Sequence, residues 1–141
     1  MHDASHCSFT HFPKLWTVLG ATHDFLNGCS FLTWMYQHIL GHHPFTNISG
    51  ADPDICTNEA DVRRIKPDQK WYSWHRGQEY FVPLLYIVLG IKTRVQDLLI
   101  LFVDKKNENI RVNPLSTSQA SVVWGGKVSY SLSLAFDSMN I

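Results

Sequence analysis

The chain has 141 residues, enough for one ordinary domain, and its formal net charge is zero because 12 basic residues balance 12 acidic ones. It lacks the basic stripe that neutralises phosphates, so nucleic acid is not an expected partner. Apolar residues make up 45% of the chain and include five Trp, eight Phe and five Tyr. A globular core or a membrane interface would use such residues, although no run reaches the roughly 18 apolar residues of a spanning helix.

Nothing after Met1 resembles a signal peptide. The cysteines are Cys7, Cys29 and Cys56, an odd number with no Cys-x-x-Cys pair. We therefore predict buried, reduced thiols rather than a disulfide framework, which fits a chain that faces the cytosol.

The first elements in chain order are short. We predict the end of a helix over residues 2–10, which Pro13 interrupts, and a second short helical piece over 14–19 that breaks at Gly20. Both belong to an all-α fold.

The clearest helical pattern covers residues 24–40, which are apolar almost all round, as in a helix buried in protein or lipid. Gly41 and Pro44 are expected to mark its end. Residues 46–70 are polar and rich in turn-forming residues, so we predict a long ordered loop, a kind of segment that is often functional.

The second half of the chain is more mixed. Residues 71–90 predict a short helix followed by an apolar turn, and residues 95–103 predict an amphipathic or interfacial segment. A loop is expected over 111–118, and a last apolar stretch begins at Trp124.

Two groups of histidines dominate the chemistry of the sequence. His2 and His6 are four residues apart, as are His38 and His42, with His43 next in the chain. Residues four apart lie on the same face of a helix, so two helices could bring five imidazoles together. A set so poor in thiolates and carboxylates favours iron or zinc over calcium or magnesium.

The other histidines have simpler interpretations. We expect His11 and His75 to be surface groups or satisfied core residues. His23 precedes Asp24, whose carboxylate could orient its ring, so His23 is a candidate for a supporting position near the metal.

Two known metal motifs fit the pattern poorly. The string over residues 2–6 is superficially similar to the His-Glu-x-x-His of zinc proteases, but its Asp is one methylene shorter and the second group stays unexplained. Carboxylate-bridged di-iron bundles use Glu-x-x-His, and neither histidine group contains Glu. Imidazole clusters suit a pair of irons that activates oxygen; the alternative is one zinc or iron held without turnover.

The two boxes, His-x-x-x-His over 2–6 and His-x-x-x-His-His over 38–43, resemble those of membrane fatty acid desaturases. Five further sequence segments strengthen the resemblance to this family: residues 34–38, 41–47, 50–54, 63–67 and 110–114. Together they are similar to the front-end desaturases that make polyunsaturated fatty acids, most of all to the fungal delta-5 type. The resemblance covers residues 1–128.

The resemblance implies an endoplasmic-reticulum membrane enzyme with two non-haem irons on the cytosolic side. Such an enzyme uses oxygen, and electrons from a haem cytochrome, to insert a double bond into a fatty acyl chain. Asp3 and Asn47 match motif positions but have no assigned role. The positions that match the metal-ligand boxes are His2, His6, His38, His42 and His43.

The chain also departs from the family pattern. It contains no third box of the form Gln-x-x-His-His and no His-Pro-Gly-Gly cytochrome motif, and residues 129–141 leave the pattern. We therefore expect a partial desaturase domain over 1–128 and a divergent tail over 129–141, together a membrane-associated helical fragment that is inactive alone. The expected partners are membrane lipid, a fatty acyl substrate and a separate cytochrome electron donor. The alternative is a non-catalytic metal-binding protein or a non-functional truncated product.

Overall fold

The computed structural model describes residues 6, 8–55 and 62–139, which are mostly helical. This confirms the predicted all-α class, with one small antiparallel hairpin in which Lys106 lies opposite Arg111. The elements in chain order are α1 (Pro13–Asn27), α2 (31–45), a 3₁₀ turn (Ser73–Gly77), α3 (78–104), β1 (Lys106–Asn107), β2 (Ile110–Arg111) and α4 (Thr117–Met139).

Helices α2 and α3 each contain a π-helical segment. Helix α2 is an α-helix over Phe31–Trp34, a π-helix over Met35–His42 and an α-helical turn over His43–Phe45. Helix α3 is an α-helix over Gln78–Leu98 and a π-helix over Leu99–Asp104.

Helix α1 corrects three sequence predictions. Pro13 begins the helix instead of interrupting one, because the first helical position needs no N–H group. The helix then continues through Gly20, so the predicted short piece over 14–19 is wrong. Residues 8–10 are not helical, and the rest of the predicted helix end, except His6, lies outside the described residues.

The predicted continuous helix over 24–40 is also wrong, because the chain turns between α1 and α2. Gly28 has a φ of 64°, a left-handed conformation that glycine adopts without strain, and its N–H donates to the carbonyl of Asp24. Ser30 then caps α2, since its side chain accepts a hydrogen bond from the N–H of Thr33.

A buried polar cluster holds this turn. Asp97 on α3 accepts a hydrogen bond from the N–H of Ser30 at 2.7 Å. It also forms an ion pair with Lys127 on α4, whose Nζ lies 2.7 Å from Oδ2 of Asp97. Asp24 on α1 accepts from the N–H of Phe31 at 3.1 Å. These carboxylates satisfy N–H groups at the start of α2 that have no partner within the helix, so all four helices meet at this point.

The apolar core lies next to this cluster and behind α2. Its buried members are Ile100, Leu101, Val112 and Val123. The partly buried side chains that pack against them are Leu32, Tyr36, Leu98 and Leu115. The hydroxyl of Tyr36 also accepts a hydrogen bond from the N–H of Asn113, at 3.2 Å. The core therefore holds the segment of α2 that precedes the histidines.

The rest of the chain is more helical than its sequence suggested. The predicted short helix and turn over 71–90 and the segment over 95–103 form the 3₁₀ turn and α3, which continues through Pro83 and Gly90. The predicted loop over 46–70 is confirmed for 46–55 and 62–70. The predicted loop over 111–118 ends earlier than expected, because the last helix begins at Thr117 and includes the apolar stretch predicted from Trp124.

Helix α3 leaves much of its apolar surface exposed. Leu84 is 64% exposed and Ile87 is 75% exposed, and Tyr80, Tyr86 and Ile91 are exposed as well. Within the described part of the chain, no helix combines the length and the apolarity needed to cross a bilayer. Membrane association stays a prediction.

Candidate metal centre

The π-helical part of α2 brings three histidines together. In a π-helix an N–H group donates to the carbonyl five residues earlier, and the N–H of His43 donates to the carbonyl of His38 in this way. The ring centroids of His38 and His43 are 4.9 Å apart, and those of His38 and His42 are 5.0 Å apart. An ideal α-helix would turn His43 about 100° from His42; here the wider turn keeps all three rings as neighbours. Gly41 and Pro44, predicted to end the helix, lie within α2.

His6 completes the group from outside α2. Its ring centroid is 5.2 Å from that of His38 and 5.0 Å from that of His43. One potential ligand atom from each of these three side chains lies within 4.8 Å of the others. Of the five predicted ligands, four therefore come together, and His2 lies outside the described residues.

An aromatic wall closes one side of the cluster. The ring of Trp34, one turn before His38, lies 4.7 Å from the His38 ring and 5.3 Å from the His6 ring. Phe31 stacks on Trp34 in turn, with 6.3 Å between the ring centroids. The wall limits the directions in which the two imidazoles can turn.

Two aspartates from the loop after α2 contact the histidines, which sequence reasoning did not anticipate. Nδ1 of His42 lies 2.9 Å from Oδ1 and 3.0 Å from Oδ2 of Asp52. Nδ1 of His38 lies 2.9 Å from Oδ2 of Asp54, whose Oδ1 accepts a hydrogen bond from the amide of Gln37, also at 2.9 Å. The one sequence signal for these residues was the string over 50–54, which matched the family without an assigned role.

Asp52 is fully buried, with 0% of its surface exposed. Its carboxylate accepts hydrogen bonds from the N–H of Asn47 at 2.8 Å and the N–H of Asp54 at 2.9 Å. Burial favours the neutral acid, but the hydrogen bonds from His42 and these two N–H groups outweigh it and lower the pKa of Asp52. The hydrogen bond to Asp52 in turn raises the pKa of His42, against the effect of burial.

His11, His23 and His75 belong to neither group of candidate ligands among the described residues. The prediction that Asp24 orients His23 is wrong: Asn27 is the partner of the His23 ring, with 3.1 Å between Nδ2 and Nδ1, while Asp24 bonds to Phe31. His11 is exposed. His75 is buried and accepts a hydrogen bond from the N–H of Tyr72 at Nδ1.

The cysteines contribute nothing to the cluster among the described residues. Cys29 is a free thiol, half-buried, with Sγ 3.8 Å from Oγ1 of Thr93. Cys7 and Cys56 lie outside the described residues.

The donor set fits a transition metal. Imidazole nitrogens suit iron and zinc, and metal-binding histidines commonly donate their other ring N–H to a carboxylate, as the contacts of His38 and His42 allow. A second possible grouping uses Asp54 itself, since one ligand atom each from His38, His42 and Asp54 also lie within 4.8 Å of one another.

Comparison with known proteins gives the same family as the sequence motifs. Residues 1–126 match the family model for fatty acid desaturases. The chain is 61% identical over 127 residues to the acyl-lipid (8-3)-desaturase of Mortierella alpina, an alignment that covers 90% of this chain and 28% of that protein. It is 42% identical over 133 residues to acyl-lipid (8-3)-desaturase B of Dictyostelium discoideum, covering 94% and 28%.

A more distant relative is the acyl-lipid (8-3)-desaturase of Physcomitrium patens, 30% identical over 129 residues that cover 92% of this chain and 27% of the relative. The chain thus spans little more than a quarter of the length of these relatives. No solved structure matches it. The family match ends at residue 126, and the predicted boundary at 128 stays a prediction.

Proposed function

This chain belongs to the fatty acid desaturase family, and on that premise we propose that it forms the part of an oxygen-dependent acyl-lipid desaturase that carries the first two histidine boxes. The observation that carries the proposal is the convergence of four imidazoles, with centroids 4.9–5.2 Å from neighbouring rings, beside two carboxylates that contact Nδ1 atoms.

The proposed metal is a pair of non-haem irons, which when bound supplies the activation of dioxygen. This chain's contribution is to hold the ions. The proposed ligands are His2, His6, His38, His42 and His43. Two ions need more ligands than five imidazoles provide, since transition metals in such sites take about four to six donors each. We infer that further ligands lie outside these 141 residues.

The substrate that we propose is the acyl chain of a lipid, because the relatives named above are acyl-lipid desaturases. The overall reaction removes one hydrogen from each of two neighbouring CH₂ groups to give a CH=CH bond. One O₂ is reduced to two waters with these two hydrogens, two protons and two electrons. We propose that a separate haem cytochrome supplies the electrons.

A membrane location completes the proposal. The family is membrane-bound, and α3 exposes six consecutive apolar side chains, residues 84–89, whereas the exposed apolar residues of an ordinary soluble surface are scattered singly. We propose that the chain associates with the endoplasmic-reticulum membrane with its histidine cluster on the cytosolic side.

Metal analysis of single-histidine variants tests the centre. We expect His38→Ala and His42→Ala to lower the iron bound per purified chain severalfold, because each removes an imidazole from the cluster. His11→Ala is the matched control, since His11 is exposed and belongs to neither group of candidate ligands among the described residues. Equal iron loss in His11→Ala and His42→Ala would refute the assignment.

The same preparations test the alternative of metal binding without turnover. Three imidazoles within reach of one ion also suit zinc. If the chain retains zinc and excludes iron when both are offered in equal amounts, the binding-protein alternative is favoured over the desaturase proposal.

A further inference from the structure

We propose that Asp52 and Asp54 are positioning residues. Asp52 determines which ring nitrogen of His42 faces the metal, and Asp54 does the same for His38. The inference deepens the proposed function and rests on it. Neither carboxylate is assigned a role by the histidine-box pattern, which consists of the imidazoles themselves.

The contacts determine which nitrogen carries the proton. A carboxylate only accepts hydrogen bonds, and a neutral imidazole has one N–H donor and one acceptor nitrogen. Because Nδ1 of His42 lies against both oxygens of Asp52, and Nδ1 of His38 against Oδ2 of Asp54, each ring donates its Nδ1–H. The lone pair of each ring is then at Nε2, which is the nitrogen left to bind a metal.

Asp52 is suited to hold a ring in one orientation because its own position is fixed. It is completely buried, and the N–H groups of Asn47 and Asp54 occupy its oxygens together with His42. The second of these hydrogen bonds also places Asp54. Rotation of the Asp52 carboxylate would break all of these contacts. The fixed carboxylate therefore restricts rotation of the His42 ring.

Asp54 is held from the helix side as well. Its Oδ1 accepts from the Gln37 amide, and its Oδ2 is 3.6 Å from Nδ1 of His42 in addition to its contact with His38. Gln37 and His38 are consecutive residues of α2, so one carboxylate bridges both. If His38 and Asp54 instead bound one ion through Nδ1 and Oδ2, Nδ1 of His38 would carry no proton, which distinguishes that arrangement from the proposed one.

The first experiment needs no metal. Nitrogen-15 NMR of the metal-free 141-residue chain, above about pH 9 where imidazole is neutral, should show the Nδ1–H tautomer for His38 and His42. Asp52→Ala should release the His42 ring into a mixture of tautomers, and Asp54→Ala should do the same for His38. Asp68→Ala, which removes an exposed carboxylate from the same loop, should change neither ring. An Nε2–H tautomer in the unsubstituted chain would overturn the proposal.

The second experiment measures affinity by competition with a chelator. Loss of a positioning partner should weaken metal binding about 10–100-fold without changing the number of ions bound at saturation. Unchanged affinity in both variants would overturn the proposal, and so would the loss of an ion per chain in Asp54→Ala, which would make Asp54 a ligand. If the tautomers are as expected but the chain takes up no metal, the proposed function fails and the orientation of the rings by the two aspartates stands.

Discussion

Gly41 of α2 lies directly against Pro53 of the loop that follows: a Cβ atom at Gly41 would be 2.6 Å from Cγ of Pro53. Pro53 separates Asp52 from Asp54, the two residues that contact the histidine rings. It is therefore the absence of a side chain at Gly41 that lets this loop approach close enough for both aspartates to reach α2. Gly41, which the sequence suggested as a helix end, instead has a packing role within the helix.

We predict that Gly41→Ala weakens metal binding without removing any imidazole or carboxylate. The added methyl group would overlap Pro53 and also Cδ1 of Ile110, at 2.7 Å, so the loop must shift outward and lengthen the contacts of Asp52 and Asp54. We expect a loss of stability of about 1–3 kcal/mol, as in other overpacked sites, and a lower metal affinity by chelator competition.

Gly77→Ala is the matched control for this prediction. A Cβ atom at Gly77 meets no heavy atom nearer than 3.9 Å, where it would contact the ring of Tyr80. The same glycine-to-alanine change should therefore leave metal affinity unaltered there. If both variants bind metal as well as the parent chain, close approach at Gly41 does not support the centre.

The sequence predicted the four histidines that the structure brings together but not the geometry of their cluster. The four-residue spacing of His38 and His42 indicated a shared helical face, which the structure has. The position of His43 depends on a π-helical turn, and no periodicity in the sequence distinguishes a five-residue hydrogen-bonding step from a four-residue one. The approach of Asp52 and Asp54 is a tertiary contact, and local patterns carry no information on it.

The helix boundaries were less predictable for a related reason. Residues 24–40 are apolar on both sides of Gly28, so hydrophobicity alone shows no break. The turn at 28–30 is stabilised by Asp97 and Lys127, which are distant in sequence. Gly20 was expected to break a helix, but α1 continues through it and packs Gly20 closely against the ring of Phe31, which overrides that weak intrinsic preference.

We predict that Lys127→Met strongly destabilises the chain. Lys127 and Asp97 have side chains only 13% and 8% exposed, and Nζ of Lys127 also donates to the carbonyl of Gly28 at 2.7 Å. Removing the ammonium leaves a buried carboxylate without its counter-charge, which costs about 3–5 kcal/mol. Chemical denaturation followed by circular dichroism would measure the loss.

Two comparisons sharpen that measurement. Lys92→Met removes an exposed lysine from α3 and should change stability by less than about 0.5 kcal/mol. The double variant Lys127→Met/Asp97→Leu removes both buried charges and should recover part of the loss. A Lys127→Met chain as stable as the parent would contradict the role of the ion pair.

We predict that the stability of the chain depends on pH through Asp24. Burial raises the pKa of the Asp24 carboxyl to about 6, and the charge of Asp97 adds to the shift, against hydrogen bonding from Phe31 and the charge of Lys127. In the unfolded chain the pKa has its ordinary value of 3.8. Between these values the folded state binds more protons, so the contribution of Asp24 to stability falls as pH rises from about 4 to about 6 and is constant above.

Asp24→Asn removes this dependence. The amide keeps an oxygen to accept the Phe31 N–H, so the variant should match the parent near pH 4 and exceed its stability near pH 7.5 by on the order of 2 kcal/mol. Thermal unfolding across this pH range is the measurement, and Asp104→Asn, at an exposed carboxylate on α3, is the control. Parallel pH profiles for Asp24→Asn and the parent would exclude a raised pKa at Asp24.

The exposed face of α3 predicts binding to a lipid surface. Leu84 and Ile87 are three residues apart and exposed, so they lie together on one helical face. Burying two such side chains in the interface of a bilayer contributes about 1.5–3 kcal/mol each. The parent chain should therefore float with phosphatidylcholine vesicles in a density gradient, while Leu84→Glu/Ile87→Glu should stay largely in the dense fraction.

Ser131→Glu/Ser138→Glu adds the same two charges at exposed positions of α4 and should float like the parent, because it removes no apolar surface. Equal flotation of all three chains would mean that the face of α3 formed by Leu84 and Ile87 is not the surface that meets lipid.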